Sequence, residues 1–131
     1  MKIKFIDHIV LVVKDISETE KFYSSFLGSP AYRDNETIVY QIADTRLFLV
    51  LPNAEFVLPD KDKGGLNHIA FGIRDLSELK EVESLLNLAS IKHSGICIDK
   101  YGNKEFIWFD DPSGIRLEVY CRPVPILNKD N

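Results

Sequence analysis

The chain has 131 residues, of which 45% are hydrophobic and 27% are charged, a composition typical of one globular domain. Sixteen Lys and Arg residues against twenty Asp and Glu give a formal net charge of -4, so no overall positive field attracts nucleic acid or an anionic membrane. Two cysteines are too few for the disulfide framework of a small secreted protein. The longest early apolar run, residues 9–13, is too short for a signal peptide or a membrane span. These features predict a cytoplasmic protein with no nucleic-acid or membrane partner.

The sequence contains an internal repeat. A shift of 60 residues places residues 7–18 on residues 67–78, with His, Ile, Asp, Ser and Glu at matching positions. Each copy occupies roughly half of the chain. Because a repeat dictates the architecture, we expect each copy to form the same supersecondary unit.

The first copy, residues 3–52, begins with the apolar and β-branched run at residues 9–13, which is typical of a buried strand. A helix should follow, since Ser17 and Glu20 have the spacing of a capping box and Gly28 suits the residue after the last turn. Three further strands are predicted near residues 31–34, 37–42 and 47–51.

Residues 53–65 follow Pro52 and contain Pro59 and a Gly pair, which predicts a linker between the copies. The second copy, residues 66–122, repeats the pattern with a strand at residues 69–73 and a helix capped by Asp75 and Glu78. Its remaining strands are predicted near residues 94–99, 105–109 and 115–120. The fold class is therefore predicted as α+β, with two tandem βαβββ modules in one domain and a tail at residues 123–131.

Two histidines, His8 and His68, occupy matching positions near the starts of the first strands of the two copies. A single histidine in such a place is commonly a hydrogen-bonded strand-end residue, and that interpretation stays open for each. Their equivalence in the repeat favours a shared binding role.

Glu118 lies inside the apolar run at residues 115–120, where an unpaired carboxylate would cost several kcal/mol. It needs a cation, which is either Arg116 on the same strand face or a metal ion. Two imidazoles and one carboxylate with open positions form the triad that suits Fe(II), and Mn(II) or zinc is compatible with the same donors. His8, His68 and Glu118 are therefore the candidate metal ligands.

Phe48 stands at the position of the first copy that matches Glu118, which leaves coordination sites open for a substrate or water. Phe48, Tyr101 and Trp108 are the candidate substrate-binding residues, although most aromatic side chains in such a chain belong to the core. Tyr40 and Glu105 are the candidate catalytic residues for proton transfer.

The segments DHIVLVV around His8, NHIAFGI around His68 and FDDPSGIRLEVY around Glu118 resemble the vicinal oxygen chelate superfamily. That superfamily includes glyoxalase I, bleomycin-resistance proteins, fosfomycin-resistance transferases and extradiol dioxygenases. The resemblance covers residues 3–122 and implies modules that curl into a cup around one divalent ion (iron, manganese, zinc or nickel) held by His8, His68 and Glu118. It also implies a homodimer, since short members usually pair, and a small substrate bound through two adjacent oxygen atoms.

The resemblance does not select one reaction. Glyoxalase I enzymes generally have a metal-binding Glu where this chain has Phe48, extradiol enzymes have a Tyr at the position of Trp108, and fosfomycin transferases usually have a Thr at the position of Val10. Lyase, dioxygenase and thiol-transferase reactions all stay open. The alternative is a metal-free protein that sequesters a small molecule, as bleomycin-resistance proteins do, but those proteins usually lack the three ligand residues.

Overall fold

A computed structural model describes residues 1–123, so the predicted tail lies outside the described residues except for its first position. The chain divides into two compact units, Met1–Leu58 and a second unit that starts at Pro59. This boundary falls inside the predicted linker. None of the helices within residues 1–123 is long and apolar enough to cross a membrane.

The first unit contains one helix and four strands, which are β1 (His8–Val12), α1 (Ile16–Leu27), β2 (Tyr32–Arg33), β3 (Thr37–Ile42) and β4 (Thr45–Val50). Its sheet has the order β1-β4-β3-β2, with β1 parallel to β4 and the other neighbours antiparallel. The first strand therefore pairs with the last.

The second unit has the same order of elements, which are β5 (Ile69–Ile73), α2 (Leu76–Leu88), β6 (Cys97–Ile98), β7 (Glu105–Asp110) and β8 (Arg116–Cys121). Its sheet has the order β5-β8-β7-β6, and β5 is again parallel to the last strand. The α+β class and the repeated βαβββ module are thus confirmed.

Each sheet has one face covered by the helix of its own unit. In the first unit, the rings of Tyr23 on α1 and Tyr40 on β3 lie 6.0 Å apart, which places Tyr40 on the covered face. The buried side chains of this sheet face come from alternate positions and are Ile38, Tyr40, Leu47 and Leu49. The opposite face carries His8, Val10 and Phe48, because Val10 is paired with Phe48 and the rings of His8 and Phe48 are in contact.

In the second unit, Leu79 and Leu86 on α2 are fully buried. They pack toward β7 and β8, whose buried positions are Ile107, Phe109, Leu117 and Val119. Full burial of one large aliphatic side chain contributes about 1.5–3 kcal/mol. Since successive side chains of a strand point to opposite faces, Trp108, Glu118 and Tyr120 lie on the uncovered face.

Both helices begin after an aspartate that caps them. Asp15 Oδ1 accepts a hydrogen bond from the backbone N–H of Glu18 at 2.7 Å, and Asp75 Oδ1 accepts one from Glu78 at 3.0 Å. The prediction that Ser17 caps the first helix was therefore wrong by two residues. Ser17 and Glu20 have the spacing of a capping box, but Asp15 and Glu18 have the same spacing. Asp15 is also the residue that matches Asp75 in the repeat.

The turn between β7 and β8 is held by the side chain of Asp111, which is 4% exposed. Its Oδ1 accepts hydrogen bonds from the backbone N–H groups of Ser113 and Ile115, both at 2.8 Å. Gly114 has a φ of 91°, a backbone conformation in which a Cβ atom is unfavourable. The turn sets the register in which Trp108 faces Glu118.

We predict that Asp111→Ala lowers the free energy of unfolding, because it leaves two buried N–H groups without their acceptor. Such a group costs about 1–3 kcal/mol, so a loss of at least about 1 kcal/mol is expected in urea unfolding. Asp111→Asn keeps an acceptor oxygen and should lose less. Equal losses in the two variants would show that these hydrogen bonds do not hold the turn.

Candidate metal centre

His68 and Glu118 lie side by side on the uncovered face of the second sheet. The distance between His68 Nε2 and Glu118 Oε2 is 3.6 Å, and their side chains are 38% and 20% exposed. The parallel pairing of β5 with β8 causes this proximity, since Ala70 is opposite Glu118 and His68 precedes Ala70 by two residues on the same face.

The other ring nitrogen of His68 is already engaged, since Nδ1 lies 2.7 Å from Asn67 Oδ1. An amide oxygen accepts only, so Nδ1 carries a proton and donates it. In the neutral ring, Nε2 is then an acceptor that faces the acceptor oxygen of Glu118. Two acceptors in this position can share a proton on Nε2, a water that donates to both, or a cation, and a divalent metal ion is one group that suits them.

His8 has the same local arrangement in the first unit. Its Nδ1 lies 2.7 Å from Asp7 Oδ2, and the Phe48 ring packs edge-on at 5.7 Å between centroids. A histidine whose Nδ1–H is held by a carboxylate or amide oxygen presents Nε2 as a ligand, the pattern usually found around metal-bound histidines. In both copies the residue directly before the histidine supplies this oxygen.

The structure therefore brings two of the three predicted ligands together and places His8 in the other unit. Within either unit, the part of the chain that the structure describes contains no group of three His, Cys, Asp or Glu side chains close enough to hold a metal ion. The donor set itself, two oriented imidazoles and one carboxylate, fits a divalent ion that prefers mixed nitrogen and oxygen ligands.

Arg116, the alternative partner for Glu118, has other contacts. Its Nε donates to Asp110 Oδ1 at 2.6 Å, and its guanidinium covers the Trp108 ring at 4.0 Å from the centroid. Trp108 is paired with Glu118 across the strands and is partly exposed beside it.

A cleft of about 840 Å³ opens on this face of the second unit and includes His68 and Glu118 in its wall. The rings of Phe106 and Tyr120 stack at 6.2 Å and form part of its surface. Tyr101, a predicted substrate-binding residue, also lines the cleft, with 88% of its surface exposed.

One wall of the cleft is a loop closed by Tyr120 and Asp99. The Tyr120 hydroxyl donates to Asp99 Oδ2 at 2.6 Å, and Asp99 Oδ1 accepts from the backbone N–H of Tyr101 at 3.0 Å. A Cβ atom at Gly102 would lie 2.8 Å from the Tyr120 hydroxyl, so only glycine permits this approach. Tyr120 was not among the residues predicted from the sequence, although its position two residues after Glu118 places it on the same strand face.

The two predicted catalytic residues lie elsewhere in their units. Tyr40 is 1% exposed on the helix-covered face, where its hydroxyl contacts Ser24 Oγ at 2.7 Å, and burial raises the pKa of this phenol. Glu105 alternates with Phe106 and so points to the α2 side of β7. Neither shares a face with the predicted ligand of its own unit, and the structure gives no support for either as a catalytic residue.

Comparison with known proteins gives the class of the chain. The family model of the Glyoxalase/Bleomycin resistance protein/Dioxygenase superfamily matches residues 5–119, and the chain belongs to this superfamily.

Similar proteins cover nearly the whole chain. The uncharacterized protein YwkD of Bacillus subtilis (strain 168) is 30% identical over 92% of this chain and 98% of its own length. The uncharacterized protein YaeR of Escherichia coli (strain K12) is 27% identical over 90% of this chain and 96% of its own. The crystal structure of a glyoxalase family protein from Enterococcus faecalis shares the fold, with a TM-score of 0.72 and 24% identity over 92% of this chain and 99% of that one.

The hydrogen bond between Tyr120 and Asp99 predicts a measurable pH effect. It lowers the pKa of Asp99 below the ordinary value of 3.8, and it raises the pKa of Tyr120 above 10.0. Because the carboxyl pKa is lowered by folding, the bond stabilises the protein above pH 3.8, and this stabilisation is lost as the pH falls through the lowered pKa. We expect Tyr120→Phe to move the Asp99 titration midpoint upward in carboxyl NMR, while Tyr101→Phe leaves it in place. An unchanged midpoint in Tyr120→Phe would contradict the assignment.

Proposed function

We propose that the protein is a metal-dependent enzyme of this superfamily that binds one divalent ion through His8, His68 and Glu118. Its substrate is a small oxygen-rich molecule that reaches the ion through two adjacent oxygen atoms. The reaction class stays among lyase, dioxygenase and thiol-transferase chemistry.

The observation that supports this proposal is the orientation of the two repeat-equivalent histidines. Asp7 and Asn67 engage the Nδ1 atoms of His8 and His68 at 2.7 Å each, so both rings present Nε2. A merely structural strand-end histidine does not need this repeated arrangement. The carboxylate of Glu118 at 3.6 Å from His68 supplies the negative charge that a dication requires.

When bound, the metal ion would polarise substrate oxygen atoms as a Lewis acid. The residues of the chain then have separate tasks in the second unit. His68 and Glu118 fix the position of the reacting end, and the stacked rings of Phe106 and Tyr120 offer a flat apolar surface to the remainder of the molecule. The cleft thus holds one orientation of a bound substrate.

We predict that Glu118→Gln abolishes metal binding and activity while the fold survives. The amide keeps the shape of the side chain but removes the charge that offsets the dication. Metal content after purification without chelator, together with the thermal midpoint, measures both effects. Glu105→Gln is the matched control, because it removes one carboxylate from the other face of the same sheet and should keep the metal.

Two results would overturn the proposal. One is an equal metal content in wild type, Glu118→Gln and His68→Ala, since the ion would then bind elsewhere. The other is the absence of metal from wild-type protein even after incubation with iron, manganese, zinc and nickel salts, which would favour metal-free sequestration of a small molecule.

We further propose that the protein is a homodimer, because pairing is common in this superfamily. Light scattering at working concentration should give twice the chain mass, with one metal ion per chain. A monomeric mass with metal still bound would contradict this.

A mixing experiment asks whether the three ligands come from one chain or two. His8→Ala retains His68 and Glu118, whereas Glu118→Gln retains His8. If the ligands come from two chains, mixed dimers of these variants recover one metal site of two. If each chain supplies all three ligands, mixing recovers none.

A further inference from the structure

Two arginines stand together at one end of the cleft in the second unit. Arg74 directly follows β5 and Arg122 directly follows β8, and both line the cleft. The backbone joins them, because the N–H of Arg122 donates to the carbonyl oxygen of Ile73 at 2.7 Å and Arg74 Nη1 donates to the carbonyl oxygen of Arg122 at 3.0 Å. Their positions therefore follow from the parallel pairing of the two strands.

Neither guanidinium forms an ion pair with a carboxylate of the residues that the structure describes. Among residues 1–123, neither Arg74 nor Arg122 has an Asp or Glu oxygen within 4.0 Å, whereas Arg33 and Arg116 do. The hydrogen bond from Arg74 to the backbone uses one of the five N–H donors of its side chain. Asp99 is the acidic residue in this part of the cleft wall, and its oxygens already accept from Tyr120 and from backbone N–H groups. Two guanidinium groups and one carboxylate thus line this end, and the Glu78 carboxylate lies behind it, where its Oε1 accepts from the backbone N–H of Arg74 at 2.8 Å.

The two ends of the cleft carry different side chains, with His68 and Glu118 at one and Arg74 and Arg122 at the other. Arg122 is four positions after Glu118 along the chain, which corresponds to about 13 Å between their Cα atoms. Between them lies the aromatic surface of Phe106 and Tyr120, and the Arg122 guanidinium stands 4.9 Å from the Tyr120 ring centroid. Guanidinium groups bind carboxylate and phosphoryl oxygens in a bidentate manner, and two of them in one wall of the cleft favour such anions.

We propose that Arg74 and Arg122 bind an anionic group of the substrate, a carboxylate or a phosphoryl group, at the end of the cleft away from the metal ligands. This proposal deepens the proposed function and rests on it for the metal end. The substrate class is then an elongated small molecule that has adjacent oxygen atoms for the metal at one end, a flat or apolar middle, and an anionic group at the other.

Matched chelators test whether the two ends of the cleft bind different groups of one molecule. Benzohydroxamic acid offers two adjacent oxygens and a ring, and its 4-carboxymethyl and 4-phosphonomethyl derivatives add only an anionic arm. Calorimetry on metal-loaded wild-type protein should show at least one derivative binding roughly tenfold more tightly than the parent. The derivative that gains more identifies the anionic group. Arg74→Gln and Arg122→Gln should each remove most of this gain and leave the affinity for the parent compound unchanged.

Two further variants control for fold and charge. Arg74→Lys keeps the positive charge and should retain part of the gain, whereas Lys80→Gln removes a charge from an exposed position of α2 and should retain all of it. The proposal is overturned if both derivatives bind no more tightly than the parent, or if the arginine variants weaken all three compounds equally.

A different experiment applies if the protein binds no metal and the proposed function fails. If no metal loads, none of the hydroxamates should bind through its chelating end, and phenylphosphonate and phenylacetate are then titrated into the metal-free protein. Saturable binding that Arg74→Gln and Arg122→Gln abolish supports the arginine site without the metal. Absence of saturable binding overturns it.

Discussion

The parallel pairing of β5 with β8 is the constraint on which the second unit depends. It joins the first and last strands of the module, which are far apart in sequence, and so brings together two pairs of side chains that line the cleft. His68 and Glu118 meet near its start and middle, and Arg74 meets Arg122 where both strands end. The chemistry of the cleft follows from this register.

The sequence predicted the modules well because their signals are local or repeated. Apolar runs, turn residues and a shift of 60 residues were enough for the order of elements along each copy, and the matched histidines gave the candidate ligand positions. The choice of Ser17 as a helix cap failed where two capping patterns overlap, and the repeat itself points to Asp15.

The faces of the strands were harder to predict. Tyr40 ends a run of three consecutive apolar residues that begins at Ile38, so the alternation that separates core from surface is not visible there, and contact with α1 identifies its face. The bond between Tyr120 and Asp99 and the contact between Arg74 and Arg122 span 21 and 48 residues. Neither has a periodic signal, because each depends on how β8 pairs with its neighbours.

The two copies differ in the size of the side chains on the uncovered faces of their sheets. Val10 and Val12 on β1 correspond in the repeat to Ala70 and Gly72 on β5, and the latter two line the cleft. Gly72 is not required by its backbone, since its φ is not in the left-handed region and an added Cβ would meet no atom within 4 Å. Position 72 can therefore accept a larger side chain without disturbing the strand, which makes it a place where substitution would narrow the cleft while the buried face of the sheet stays the same.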